Sequence, residues 1–271
     1  MKTRLDIWLT EHGYFQSREK AKAAIMEGIV FVDGLRVDKA GTPVKEDAAV
    51  TVKESGCPYV SRGGLKLKKA IDTFGFSLQD AVCVDMGSST GGFTDCMLRE
   101  GASHVFAVDV GYGQLDYKLR IDDRVTVMEK TNIRYMDPAL IEPKADFVSI
   151  DVSFISTALI FPMAARVTKD EAAVVSLIKP QFEAGREQVG KNGIVRDAAV
   201  HREVIDKVLG YAADNGFMPA GLTYSPIKGA KGNIEYLVLL KKGGCEAQPL
   251  PDDAAAKVVE EAHAALKNKA E

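Results

Sequence analysis

The chain of 271 residues is 46% apolar and 27% charged, with a formal net charge of -3. These values exclude a mostly disordered chain, and the near-neutral total supplies no global attraction to nucleic acid. No stretch approaches the ~18–20 consecutive apolar residues of a membrane span, and the N-terminus lacks the apolar run of a secretory signal. Within residues 1–60, Leu5, Trp8 and Leu9 fall at helical spacing, with Gly13 beyond them. Ser17 fits an N-cap for a second helix that points Ala21, Ala24 and Ile25 inward and ends at Gly28. A strand, an Asp33-Gly34 turn and a second strand follow, then a short strand at 49–52.

From Arg62 onward short apolar strands alternate with helices. Helix is expected over 65–74, 92–100, 155–167 and 198–215. Strand is expected over 81–85, 104–110, 125–128, 145–150, 171–178, 218–224 and 235–240. This order predicts an α/β fold with a doubly wound, mostly parallel sheet covered on both faces. Three regions are expected: 1–60, 61–245, and an acidic helical tail over 246–271. The tail holds six acids and three lysines, so it supplies the whole net charge. Cys57, Cys83, Cys96 and Cys245 match neither a zinc site nor a disulfide framework, which fits a reducing, cytoplasmic compartment.

The sharpest local pattern is Val84-Asp-Met-Gly-Ser-Ser-Thr-Gly-Gly-Phe. Asp85 closes the first strand of the sheet, and glycines open the next helix. Glycines permit positive φ and close backbone approach, and a helix start presents free N–H groups. Asp109 ends the next strand, where it can accept both hydroxyls of a ribose. Ser89 stands where a dinucleotide fingerprint needs glycine. The pattern instead resembles S-adenosylmethionine-dependent methyltransferases. The cofactor is then S-adenosyl-L-methionine, held by Asp85, Gly87, Ser88, Ser89, Thr90, Gly91, Gly92, Phe93 and Asp109, with Asp85 near the methionine end.

Charged residues also stand at or just past later strand ends: Asp151, Lys179 and Glu235. Lys66 lies on the helix before the sheet. In a doubly wound sheet these positions converge on the cofactor crevice. Their spacing resembles the K-D-K-E tetrad of FtsJ-type RNA ribose 2′-O-methyltransferases. The words Ser-Arg-Gly-Gly-Leu-Lys-Leu, Ile-Lys-Pro-Gln-Phe-Glu and Gly-Lys-Asn-Gly-Ile-Val-Arg-Asp look like the TlyA family, which joins an S4 RNA-binding domain to this fold. Arg4-Leu-Asp, Ser17-Arg-x-x-Ala and Ile25-x-x-Gly-x-Val-x-Val-Asp-Gly fit S4, although Asp33 stands where S4 domains often carry Asn. The resemblance covers residues 1–241.

It implies a Rossmann-like methyltransferase with a small N-terminal α+β S4 domain, acting on a cytidine 2′-hydroxyl of ribosomal RNA within ribosomal subunits. Lys179 is the expected base, Asp151 its orienting partner, and Lys66 and Glu235 position the ribose. Glu129 and Asn132 are expected to face the adenine. Arg4, Arg18, Lys20, Lys22, Arg36, Arg62, Lys68 and Lys69 are expected to contact RNA phosphates, with Lys39 nearby. The pattern calls for no metal, no membrane and no obligate protein partner. Two rival readings are a non-catalytic ribosome-binding module, which need not bind the cofactor, and a membrane-lytic hemolysin, which the acidic tail helix disfavours on anionic lipid.

Overall fold

The computed structural model describes residues 2–15, 17–53, 56–243 and 250–266. The chain divides into two compact units, Met1–Arg62 and Gly63–Glu271. In the first unit, β1 (Lys2–Arg4) leads into α1 (Leu5–Glu11), and α2 (Arg18–Glu27) follows. The strands β2 (Val30–Val32), β3 (Leu35–Arg36), β4 (Pro43–Lys45) and β5 (Val50–Val52) complete it. The Ser17 side chain accepts the Lys20 N–H at 3.2 Å, and Gly28 closes α2 in the left-handed conformation. Asp33 and Gly34 both have positive φ, as a two-residue hairpin turn requires. Leu5, Trp8, Leu9, Ala21, Ala24, Ile25, Val30 and Val44 form the core. Helical and alternating patterns do not predict β1 and β4, which pair antiparallel with each other. Three residues are too few to carry a readable period.

The second unit starts with α3 (Gly63–Phe74). Next come β6 (Val82–Met86), α4 (Gly92–Arg99), β7 (His104–Val108), α5 (Tyr117–Arg120), β8 (Val125–Met128) and β9 (Ala145–Ile150). Then follow α6 (Phe161–Val167), β10 (Thr168–Ile178), α7 (Pro180–Glu183), α8 (Ala198–Asp214), β11 (Phe217–Tyr224), β12 (Tyr236–Lys242) and α9 (Ala254–Leu266). The sheet order is β11-β12-β10-β9-β6-β7-β8, and β12 runs antiparallel to both its neighbours. The remaining strands therefore share one direction. Val84, Val148, Val174 and Val238 join the core under α6, α8 and α9. The alternate residues Cys83, Val105, Phe147, Val175 and Leu237 are equally buried, so both faces are covered.

Two expectations change in detail. Helix does not run through 155–167: a 3-10 turn spans Thr157–Leu159, and α6 begins at Phe161. Pro162 lacks the N–H that an interior turn needs and is tolerated only at a helix start, so the helix begins there. The tail helix α9 is docked on α8 and β11, with Val258, Val259, Ala262 and Leu266 buried. The expected tail residues 246–249 and 267–271 lie outside the described residues, as does Cys245. No helix among the described residues is long and apolar enough to cross a membrane.

Candidate active site

The chain leaves β6 for β7 and β8 on one side and returns to β9 on the other. A crevice therefore opens at the carboxyl ends of β6 and β9. The turn after β6 occupies it. Gly87 (φ 93°), Ser89 (φ 46°) and Gly91 (φ 95°) are left-handed. A Cβ on Gly87 would lie 2.5 Å from the Asp151 carbonyl oxygen, so only glycine lets the two strand ends meet. Asp109 organises the turn from β7: its carboxylate accepts the Ser89 N–H at 2.8 Å and the Gly111 N–H at 2.7 Å. Each carboxylate oxygen has a second lone pair, so the partly exposed Asp109 can still accept ribose hydroxyls. The left-handed turn, the opening of α4 at Gly92 and this acceptor together fit a nucleoside cofactor such as S-adenosylmethionine.

Other expected cofactor residues are placed differently from one another. Ser88 and Phe93 are buried, and Ser89 is exposed. Asp85 is fully buried and accepts hydrogen bonds from the Thr94 hydroxyl at 2.7 Å and the Ser149 hydroxyl at 3.0 Å. Burial pushes its carboxyl up to about 7, against the lowering effect of those two hydroxyls. Glu129 holds Arg120 at 2.5 Å. Burial acts to raise Glu129, but hydrogen bonds from the Gly113 and Leu115 backbone and from Arg120 hold it below the ordinary range. It thus ties the β7–α5 loop. Asn132 is exposed and accepts the Arg134 N–H at 3.1 Å.

The four charged residues come together at the same sheet edge. Ile178 pairs with Tyr236, so Lys179 and Glu235 are the next step beyond the ladder of β10 and β12. The antiparallel direction of β12 is what brings its first end to this edge. Asp151 follows β9, and α3, packed on β12, supplies Lys66. Lys66 Nζ lies 2.6 Å from Glu235 and 3.9 Å from Asp151, and Lys179 Nζ lies 2.5 Å from Asp151. The result is one chain, Glu235–Lys66–Asp151–Lys179, with compensating charges. Lys66, Lys179 and Glu235 are buried. Burial acts to raise the Asp151 carboxyl, but Lys66 and Lys179 outweigh it and hold the group below the usual carboxylate range.

The model of FtsJ-like methyltransferases matches residues 59–242, and that of the S4 domain matches residues 3–50. The chain belongs to the FtsJ-like methyltransferase family. It is 51% identical to "Putative rRNA methyltransferase YqxC" of Bacillus subtilis, over 99% of this chain and 96% of that one. It is 41% identical to the 16S/23S rRNA (cytidine-2'-O)-methyltransferase TlyA of Mycobacterium tuberculosis, over 89% and 90%. The solved structure "Putative hemolysin from Streptococcus thermophilus" superposes with a TM-score of 0.78 at 46% identity, covering 98% and 97% of the two chains.

Around the tetrad of this FtsJ-like methyltransferase stand residues that sequence reasoning missed. Lys179 Nζ donates to Ser153 Oγ at 3.1 Å, and Gln181 Nε2 reaches Glu235 at 3.4 Å. A Cβ on Gly229 would lie 1.9 Å from Glu235 Oε1, so the glycine leaves room for that carboxylate. Phe154 is 91% exposed at a left-handed φ of 63°, and its ring lies 5.0 Å from that of Phe182. An exposed aromatic held in a costly backbone conformation marks a candidate functional position. Only its position just after Asp151 could have flagged it in the sequence.

The expected RNA residues of this methyltransferase divide by exposure. Arg4, Arg18, Lys20 and Arg36 are exposed or half-exposed in the first unit, and Lys22 and Arg62 are of intermediate exposure. In the second unit Lys69 is half-buried, while Lys68 is bound to Asp72 at 2.9 Å and Glu100 at 3.0 Å. Its charge is already compensated, so it adds little to an RNA-facing surface.

Proposed function

We propose that this chain transfers a methyl group from S-adenosyl-L-methionine to the 2′-hydroxyl of a cytidine in ribosomal RNA, within ribosomal subunits in the cytoplasm. The observation that carries this reading is the Glu235–Lys66–Asp151–Lys179 chain beside the glycine turn. When bound, the cofactor supplies an electrophilic methyl on a sulfonium. The turn at Gly87–Gly92 and Asp109 would hold it. A ribose hydroxyl is a very weak acid and must lose its proton as it attacks, so a base and a nearby cation are both required. Lys179 Nζ takes that proton as a neutral amine, after its ammonium proton has left to solvent. Asp151 fixes the Lys179 side chain, and Lys66, fixed by Glu235, stabilises the developing negative charge on the 2′-oxygen. Phe154 offers a face on which the target base can stack once it leaves its helix.

The name of the mycobacterial relative supports cytidine as the target. Matched by an S4 model, the first unit supports an RNA substrate. The test is methyl transfer from labelled S-adenosylmethionine to purified 30S and 50S subunits, with mapping of the product nucleotide. Label on a cytidine 2′-oxygen is the expected result. Transfer to neither subunit, or to a base atom, rejects the proposal.

A further inference from the structure

Asp6 opens α1 and is fully buried, yet it faces two guanidinium groups. Arg4 grips it with two bonds, Nε to Oδ1 at 3.0 Å and Nη2 to Oδ2 at 3.1 Å. Arg18, the first residue of α2, adds Nη2 to Oδ2 at 3.0 Å. Burial acts to raise the Asp6 carboxyl, but the two arginines outweigh it and hold it at about 2, so it is an anion at all working pH values. The arginine side chains remain about half exposed, at 51% and 47%. Arg4 Nη1 and Arg18 Nη1 and Nε have no partner among the described residues. Gly41 lies against the Arg4 guanidinium: a Cβ at this position would sit 3.0 Å from Arg4 Nη1 and 3.4 Å from Cζ.

We propose that Asp6 is a positioning residue that presets Arg4 and Arg18, the expected phosphate contacts, as a claw for one RNA phosphodiester. The inference rests on the reading of the first unit as RNA-binding and adds the residue that positions its arginines. Two cations around one anion leave a single net positive charge and outward-facing donors, which matches the single charge and two free oxygens of a phosphodiester. Unbraced, two neighbouring arginines would repel and would lose rotamer freedom on binding. Asp6 removes both costs before RNA arrives.

Net charge and positioning predict opposite signs for Asp6→Asn. Removing an anion from an RNA-binding face should tighten binding if total charge decides, whereas loss of the brace should weaken it. The experiment is filter binding of the full chain to protein-free 16S and 23S rRNA over a range of KCl, with a thermal melt for each variant. Asp6→Asn and Arg18→Lys are each expected to weaken binding by about tenfold or more, the scale of one charge-assisted hydrogen bond. Arg18→Lys alters an exposed position, so it decides the matter if Asp6→Asn does not fold. In methyl transfer these variants should raise KM and leave kcat near that of the parent. Equal or tighter binding by a folded variant overturns the claw. A parent chain that binds neither RNA at any salt instead overturns the RNA-binding reading on which the claw rests.

Discussion

Lys66 and Lys179 differ in what holds them, and that difference assigns their work. Lys66 lies between two carboxylates, Glu235 and Asp151. Lys179 has Asp151 on one side and the neutral Ser153 hydroxyl on the other, so one carboxylate holds it where two hold Lys66. Lys179→Ala should lower the transfer rate by about 10² or more, the usual weight of general base catalysis, while calorimetry still detects cofactor binding. Undiminished transfer would remove Lys179 as the base. Asp85 makes a separate prediction at this scale. Its carboxyl is raised to about 7 in the folded chain by burial, so between roughly pH 4 and 7 the folded state holds a proton that the unfolded state has released. Stability from this group is complete below pH 4 and declines as the pH rises to 7. Chemical denaturation of the parent and of Asp85→Asn should show the parent losing ground to the variant across that window, then a constant difference. A pH-independent difference would mean that the group does not titrate there.

Elements are where the sequence was most and least legible. Leu5–Trp8–Leu9, the apolar strands of the sheet and the Ser17 cap were readable because burial imposes a period and capping imposes a residue type. The start of α6 was not, since an apolar run around Pro162 looks continuous until the backbone must choose where its missing N–H is tolerated. In the site, Lys66, Asp151, Lys179 and Glu235 could be read because each charge adjoins an apolar or glycine-rich segment. Ser153, Gln181 and Phe154 could not, because their importance lies in nearness to those charges across the sheet edge. The glycine turn gives the element-scale prediction. A Cβ on Gly91 would lie 2.2 Å from Leu119 Cδ1 at a φ of 95°, so Gly91→Ala must both strain the backbone and displace the Leu119 and Leu115 side chains. The expected loss is on the order of 1–3 kcal/mol of stability, with weaker cofactor binding by calorimetry. Parent-like melting and affinity would show that the turn tolerates a side chain.

The whole molecule carries a net charge of -3, yet its proposed partner is a polyanion. The contradiction dissolves if binding depends on where charges stand. Glu260 and Glu261 are exposed on α9 in the second unit, while the Arg4–Arg18 pair is preordered in the first. If total charge governed affinity, Glu260→Gln with Glu261→Gln would tighten RNA binding, since it cancels two of the three excess negative charges. If local phosphate contacts govern it, that double variant should bind within about twofold of the parent, because exposed charges that touch no phosphate are weakened by salt screening. The dependence of log affinity on log salt separates the two cases further. Each phosphate contact contributes about 0.7–0.9 to the slope through counterion release. Arg18→Ala should therefore flatten the slope by about one contact, and the glutamine double variant should leave it unchanged. A slope that follows net charge instead would mean that the RNA is held by a diffuse field, and the local assignment would have to be abandoned.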